Sequence, residues 1–101
     1  MNIPRFLDVF PYRKYRVTGK SMEPTVKDGA TVIVTRFFRP KCNDVIALQH
    51  PTKHHVLIKR IQEVSNGRFR VLGDNNTEST DSRHFGLVKR NAILGKVVAV
   101  F

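Results

Sequence analysis

Two residues of this chain could act together as a nucleophile and a base. The first is Ser21, which lies between Gly19 and Pro24 in the stretch Val17–Thr25. Gly19 can adopt backbone angles closed to other residues, and Pro24 fixes its own φ while removing a hydrogen-bond donor. The stretch therefore predicts a rigid, non-helical turn that holds a serine hydroxyl in place. An ordinary serine on a surface turn is the alternative when this stretch is taken alone.

The second residue is Lys59, which interrupts the apolar run Val56–Val64. Because side chains alternate along a strand, Leu57, Lys59 and Ile61 share one face. A buried lysine is costly unless paired, and burial lowers its pKa. Lowering that pKa from about 10.4 to near 7.5 corresponds to about 4 kcal/mol, within reach of a desolvated site. The alternative is an edge strand with Lys59 in solvent.

A serine hydroxyl becomes a good nucleophile when a neighbouring base takes its proton, and a neutral lysine can be that base. Ser21 and Lys59 are therefore a candidate dyad, on the condition that the fold brings them together. Their separation along the chain does not show that it does.

The remaining reactive side chains do not indicate a metal or thiol site. His50 and His54 have a spacing that suits a metal on a helix, but Pro51 disfavours a helix there. No carboxylate clusters with the four histidines in the sequence, and nothing pairs one of them with Ser21. Cys42 is the only cysteine, so we interpret it as an inert thiol. We expect neither metal nor cofactor.

The composition predicts one small soluble domain. The chain has 101 residues, of which 41% are hydrophobic and 26% charged. No apolar run approaches the roughly 20 residues that span a bilayer, and residues 1–15 lack the apolar core of a signal peptide. We therefore expect a cytoplasmic protein without a membrane anchor.

The net charge of +10 favours an anionic partner. The cations are scattered, however, with no helix-long basic stripe and no aromatic-rich motif of the common RNA-binding sheets. Solubility or steering of a protein partner is thus favoured over dedicated nucleic-acid binding.

The pattern of the chain is that of short strands with little helix. A helical turn is predicted around Phe6–Phe10, and Asn66-Gly67 predicts a hairpin turn. β-Branched and apolar runs predict strands at 31–34, 44–48, 56–64, 68–72 and 93–101, the last interrupted at Gly95-Lys96. The polar segment 73–86 predicts an ordered loop, because its short side chains can bond to one another.

Several of these segments together resemble the type I signal peptidase family. The matching motifs are Gly19–Thr25, Ile58–Ile61, the Gly73–Arg83 segment with Phe85-Gly86, and Gly95–Val97. They cover most of the chain in the order of that family. The resemblance implies a mainly β, small single-domain, β-barrel-like catalytic core that hydrolyses a peptide bond with a Ser/Lys dyad. We divide the chain into an N-terminal segment, 1–16, that packs on the core, and a catalytic domain, 17–101.

By position, the resemblance makes Ser21 the nucleophile and Lys59 the general base, and it makes Ser79 the residue that orients the lysine. The oxyanion hole would use the backbone N–H of Ser21. Some relatives have a hydroxyl two residues before the nucleophile, where this chain has Gly19. Thr18 is a candidate for the missing donor.

The resemblance also assigns supporting residues. Asp81 and Arg83 correspond to an ion pair that holds the polar loop beneath the site. Asp74 and Asn75 open that loop and are expected to be structural. Met22 is expected to line the substrate cleft beside the dyad.

The chain departs from many signal peptidases because it has no predicted anchor and only a short hairpin between Lys59 and Gly73. In this it resembles the group of soluble proteases that trim a leader from nickel-type superoxide dismutase. The implied partner is a protein precursor with a short N-terminal leader. Two alternatives stay open: a self-cleaving repressor-type Ser/Lys peptidase, and a non-catalytic basic β-barrel that binds nucleic acid.

Overall fold

The computed structural model describes residues 11–75, 77 and 81–101, so the helical turn predicted around Phe6–Phe10 lies outside the described residues. The described part of the chain is mainly β. Its elements are β1 (Tyr12–Arg16), β2 (Thr31–Thr35), β3 (Val45–Gln49), β4 (Val56–Ser65), β5 (Arg68–Leu72), α1 (Ser82–Phe85), β6 (Val88–Lys89), a 3₁₀ turn (Arg90–Ala92) and β7 (Ile93–Val100).

The strands form one curled antiparallel sheet in the order β1-β2-β7-β3-β4-β5-β6. The predicted mainly β, barrel-like fold is confirmed. The predicted hairpin at Asn66-Gly67 joins β4 to β5, and both turn residues have positive φ (52° and 73°). Positive φ at both central residues suits the tight turns whose twist matches that of the strands.

The apolar side chains form two clusters, and β4 contributes to both. Ile58 packs in one cluster with Met22, Val26 and Val34. Ile61 packs in the other with residues such as Ile46, Leu48 and Val71, and half-buried Leu57 lies against this second cluster. The prediction that this strand is covered on both sides is therefore confirmed, and the edge-strand alternative for Lys59 is wrong.

Four short elements were not predicted: β1, α1, β6 and the 3₁₀ turn. Tyr12–Arg16 forms edge strand β1, which pairs with β2 through residues of which three are cations. β6 has only two residues, and α1 a single turn. The N-terminal segment assigned to residues 1–16 thus includes a strand of the sheet itself.

Strand β7 continues through Gly95 and Lys96, so the predicted interruption there is wrong. A side chain at position 95 would meet the carbonyl oxygen of Thr35 at 2.8 Å. The glycine therefore permits close approach of neighbouring backbone rather than ending the strand.

Within the described ranges, no helix combines the length and the apolar character needed to cross a bilayer.

Candidate active site

Ser21 and Lys59 line the same cleft, which has a volume of about 200 Å³. The two residues come from the loop between β1 and β2 and from the middle of β4. The other residues lining the cleft are Thr18, Gly19, Lys20, His50, Lys53, His55 and Leu57. The fold therefore brings the two candidate residues to the wall of one cavity.

A second cavity of about 180 Å³ adjoins the cleft, because Thr18, Ser21, His55 and Leu57 line both. Its remaining walls are mostly apolar and come from Arg16, Val17, Val56 and Ile58. The serine thus lies where a cation-lined cleft meets a second cavity that polar and apolar side chains line in equal number.

The turn that carries the serine is held by its own polar groups. Gly19 has φ of +93°, a conformation that favours glycine, and its N–H donates to Asp28 Oδ1 at 2.9 Å. Glu23 accepts a hydrogen bond from the Asp28 N–H and forms a cis peptide bond with Pro24. The rigid, non-helical turn expected from the sequence is therefore present.

The start of the polar loop also holds this turn through hydrogen bonds. The N–H of Asn75 donates to the Ser21 carbonyl at 2.8 Å, and its side-chain amide donates to the Lys20 carbonyl at 3.0 Å. Asp74 accepts a hydrogen bond from the Thr25 hydroxyl. Both residues at the loop opening thus contact the serine turn directly.

Asp74 also joins the turn to the strand that carries the lysine. Arg60 donates two hydrogen bonds to its carboxylate, at 2.9 and 3.0 Å. This pairing holds the pKa of Asp74 below its usual value and raises the pKa of Arg60. Asp74 therefore bridges Thr25 on the turn and Arg60, the residue that follows Lys59.

Lys59 is buried, with 2% of its surface exposed. Burial lowers the pKa of Lys59 from 10.5 to about 8, with the positive charge of Arg83 acting in the same direction and the carboxylate of Asp81 opposing both. At pH 8 about half of the side chains are therefore neutral, the form in which an amine accepts a proton.

Asp81 and Arg83 form the ion pair expected at the end of the polar loop. Arg83 Nε and Nη2 donate to the two carboxylate oxygens at 2.9 and 2.8 Å. The Asp81 carboxylate also accepts from the Gly73 N–H at 2.8 Å and caps α1 through the Arg83 N–H. Asp81 is fully buried, and its carboxylate links Gly73, at the start of the loop, to the first turn of α1.

The remaining assigned residues are Ser79, Met22 and Thr18. Ser79 lies outside the described residues. Met22 is 1% exposed within the core, where its sulfur accepts a hydrogen bond from the Asp74 N–H at 3.4 Å. Its predicted place in the cleft is therefore corrected: it packs beneath the turn. Thr18 lines both cavities beside Ser21.

The sequence reasoning missed the loop 50–55 as part of the site. His50 and His55 line the cleft, with ring centroids 5.0 Å apart. Burial, together with the charges of His55 and Lys53, lowers the pKa of His50. One signal was available: a loop joining β3 to β4 must end beside Leu57, two residues from Lys59. Among the described residues, no three His, Cys, Asp or Glu side chains are placed to hold a metal ion.

The family model described as Peptidase S24-like matches residues 12–98, so the chain belongs to that family. It is also similar to signal peptidase I of Bacillus caldolyticus, at 28% identity over 145 aligned positions that cover 90% of this chain and 80% of that protein. The alignment has more positions than this chain has residues, so the relative carries inserted segments. Together these matches support a serine peptidase, and they confirm the predicted relationship to signal peptidases at the level of the wider superfamily.

Proposed function

We propose that this protein is a serine endopeptidase with Ser21 as nucleophile and Lys59 as general base. The observation that carries the proposal is that a buried lysine, with its pKa lowered to about 8, lines the same cleft as a serine on a fixed turn. A neutral amine beside a hydroxyl is what nucleophilic catalysis without histidine requires.

In this mechanism Ser21 Oγ attacks the carbonyl carbon of the scissile peptide bond while Lys59 Nζ takes the hydroxyl proton. The ammonium then donates that proton to the leaving amine, and an acyl-enzyme ester forms. A water molecule loses a proton to the neutral lysine and attacks the ester, which releases the acid and restores the serine.

The oxyanion that forms in each step needs hydrogen-bond donors. The Ser21 N–H is one candidate, since it donates to no acceptor among the described residues. The Gly19 N–H is occupied by Asp28. We propose the Thr18 hydroxyl as the second donor, because its residue lines the cleft beside the serine.

We further propose that the substrate is a protein precursor from which an N-terminal leader is removed. The similarity to signal peptidase I supports this class of reaction, and Val17, Val56 and Ile58 in the second cavity suit a small apolar side chain next to the cut. The specific candidate is the precursor of nickel-type superoxide dismutase, on the resemblance described above. Cytoplasmic location remains a prediction from the sequence.

The test is incubation with the unprocessed dismutase precursor, read by mass spectrometry. We expect one cut near the N-terminus in the wild type and none in Ser21→Ala or Lys59→Ala, with circular dichroism unchanged. Ser65→Ala, on the exposed end of β4, is the matched control and should cut normally. Undiminished turnover in either dyad variant would refute the mechanism, whereas cleavage of other precursors but not this one would refute only the substrate.

A self-cleaving enzyme would instead shorten its own chain. Incubating the wild type alone at pH 9 and measuring its intact mass distinguishes this alternative. We expect the mass to stay constant.

A further inference from the structure

The cleft that contains Ser21 and Lys59 has a pronounced excess of positive charge. Besides Lys59, it is lined by Lys20, Lys53 and two histidines, and none of the described lining residues is an Asp or a Glu. Two described carboxylates that contact the elements around the cleft serve other groups: Asp28 accepts from the Gly19 N–H, and Asp81 is paired with Arg83. Within the described part of the chain, the walls of the cleft therefore present cations without matching anions.

Lys53 is held over the cleft by a hydrogen-bonded loop. Its N–H donates to His50 Nδ1 at 3.1 Å, and its carbonyl accepts from the Gln49 side-chain amide at 3.0 Å. The His50 N–H donates to the His55 carbonyl at 3.0 Å and closes the loop. The fixed backbone keeps Lys53 at the wall of the cleft, so binding an anion there requires ordering of its side chain alone.

Lys20 stands on the serine turn, and its backbone is also fixed. Its carbonyl accepts from the Asn75 amide at 3.0 Å and from the Glu23 N–H at 3.1 Å. Among the described residues, neither Lys20 nor Lys53 forms an ion pair with a carboxylate. Both ammonium groups can therefore take an anion from outside the chain.

We propose that Lys20 and Lys53 bind a carboxylate side chain of the substrate, so that the enzyme prefers peptides with Asp or Glu close to the cut. This inference rests on the proposed peptidase function and adds a substrate class to it. Burial lowers the pKa of His50, and the charges of His55 and Lys53 act in the same direction. A carboxylate placed there gains attraction, whereas a lysine or arginine side chain meets repulsion, which is how charge gives specificity.

The test uses a peptide library from a whole proteome digest, with cleavage sites read by mass spectrometry for the wild type and three charge-reversal variants. In the wild type we expect Asp and Glu within three residues of the cut to be enriched over the library. Lys53→Glu and Lys20→Glu should each lower the ratio of acidic to basic sites by roughly fivefold to tenfold. Lys14→Glu, an exposed residue of β1 outside the cleft, changes the net charge equally and should leave the ratio unchanged.

The outcomes separate the two proposals. Cuts that are absent in Ser21→Ala but show no acidic preference would overturn this inference and leave the peptidase intact. The same holds if Lys53→Glu and Lys14→Glu give equal ratios. If neither the library nor any precursor is cut, the peptidase proposal fails, and the anion site is judged by NMR titration of the wild type with N-acetyl-aspartate. Shifts at cleft residues that vanish in Lys53→Glu would support the site, and their absence would overturn it.

Discussion

Two neighbouring cations on opposite faces of β4 differ in burial and have pKa shifts of opposite sign. Lys59 is buried, and its pKa is lowered to about 8. Arg60 points to the other face with 34% of its side chain exposed, pairs with Asp74, and has a raised pKa. Lys59 can therefore lose its proton near pH 8, whereas Arg60 stays charged and links β4 to Asp74. Alternation along a single strand is enough to separate these roles.

The largest expected effect comes from exchanging the two types of cation. A guanidinium stays protonated at any accessible pH, so Lys59→Arg should lower kcat/KM by about 10²–10⁴-fold, the usual contribution of a general base. Arg60→Lys keeps the charge and loses only the paired hydrogen bonds, so its rate should stay within about threefold of wild type. Steady-state assays of both variants on one peptide check this; similar losses in both would contradict the division of roles.

The pH dependence should follow the lysine alone. Because neutral Lys59 is the active form and its pKa is about 8, kcat/KM should rise about tenfold per pH unit below 8 and level off above 9. The rate at pH 6 would be about a hundredth of the plateau. The Arg60→Lys profile should coincide with wild type. A rate independent of pH between 6 and 9 would exclude a lysine base with this pKa.

The buried cation should also cost stability. A pKa of about 8 in the native state against 10.5 when unfolded corresponds to about 3 kcal/mol at pH 7. Since Lys59→Met also loses the polar contacts of the lysine, we expect the free energy of unfolding to rise by about 1–2 kcal/mol. Urea unfolding at pH 7 measures this; a destabilised variant would mean that those contacts outweigh burial.

The direction in which the stability difference between wild type and Lys59→Met changes with pH provides the control. Below pH 8 the lysine is protonated in both states, and its full cost is present. Between pH 8 and 10.5 only the unfolded state stays protonated, so wild-type stability rises with pH and the advantage of Lys59→Met shrinks. An advantage that grows over this range would contradict the assignment.

The smallest effect is expected on the arginine face. Asp74→Asn removes the charge partner of Arg60, and we expect the free energy of unfolding to fall by about 1 kcal/mol, because the pair is partly exposed. The pKa of Asp74 is lowered in the fold, so this difference should be present at neutral pH and disappear as the pH falls below about 4. Urea unfolding at pH 7 and pH 3 measures it, with exposed Glu63→Gln as the control; an equal loss at both pH values would mean that the charge is not the cause.

The sequence predicts the central strands of this fold well and its edges poorly. Runs such as Thr31–Thr35 are β-branched, and their burial matches their pattern. Strand β1 has only exposed or half-buried side chains, so it carries no apolar alternation, and only its pairing with β2 makes it a strand. Tertiary contacts of this kind are not local properties of the chain.

In the candidate site, too, the local sequence indicates some features and not others. The apolar neighbours of Lys59 indicate its burial directly, and Gly19 indicates the turn. Nothing local shows that Asn75 would bond to the turn, or that the loop 50–55 would lie over the cleft, because both depend on how the sheet curls. Met22 shows the limit of assigning roles by position: it borders the nucleophile in sequence but packs inward.

The length of the hairpin that joins β4 to β5 can change without moving the reactive groups of the site. Residues 62–68 are exposed, whereas Lys59 and Asp74 are fixed by contacts at the opposite end of these strands. A foreign domain or a reporter sequence inserted between Asn66 and Gly67 would therefore extend away from the cleft. For protein engineering, this hairpin is therefore a site at which a substrate-binding domain can be inserted without changing the residues of the cleft.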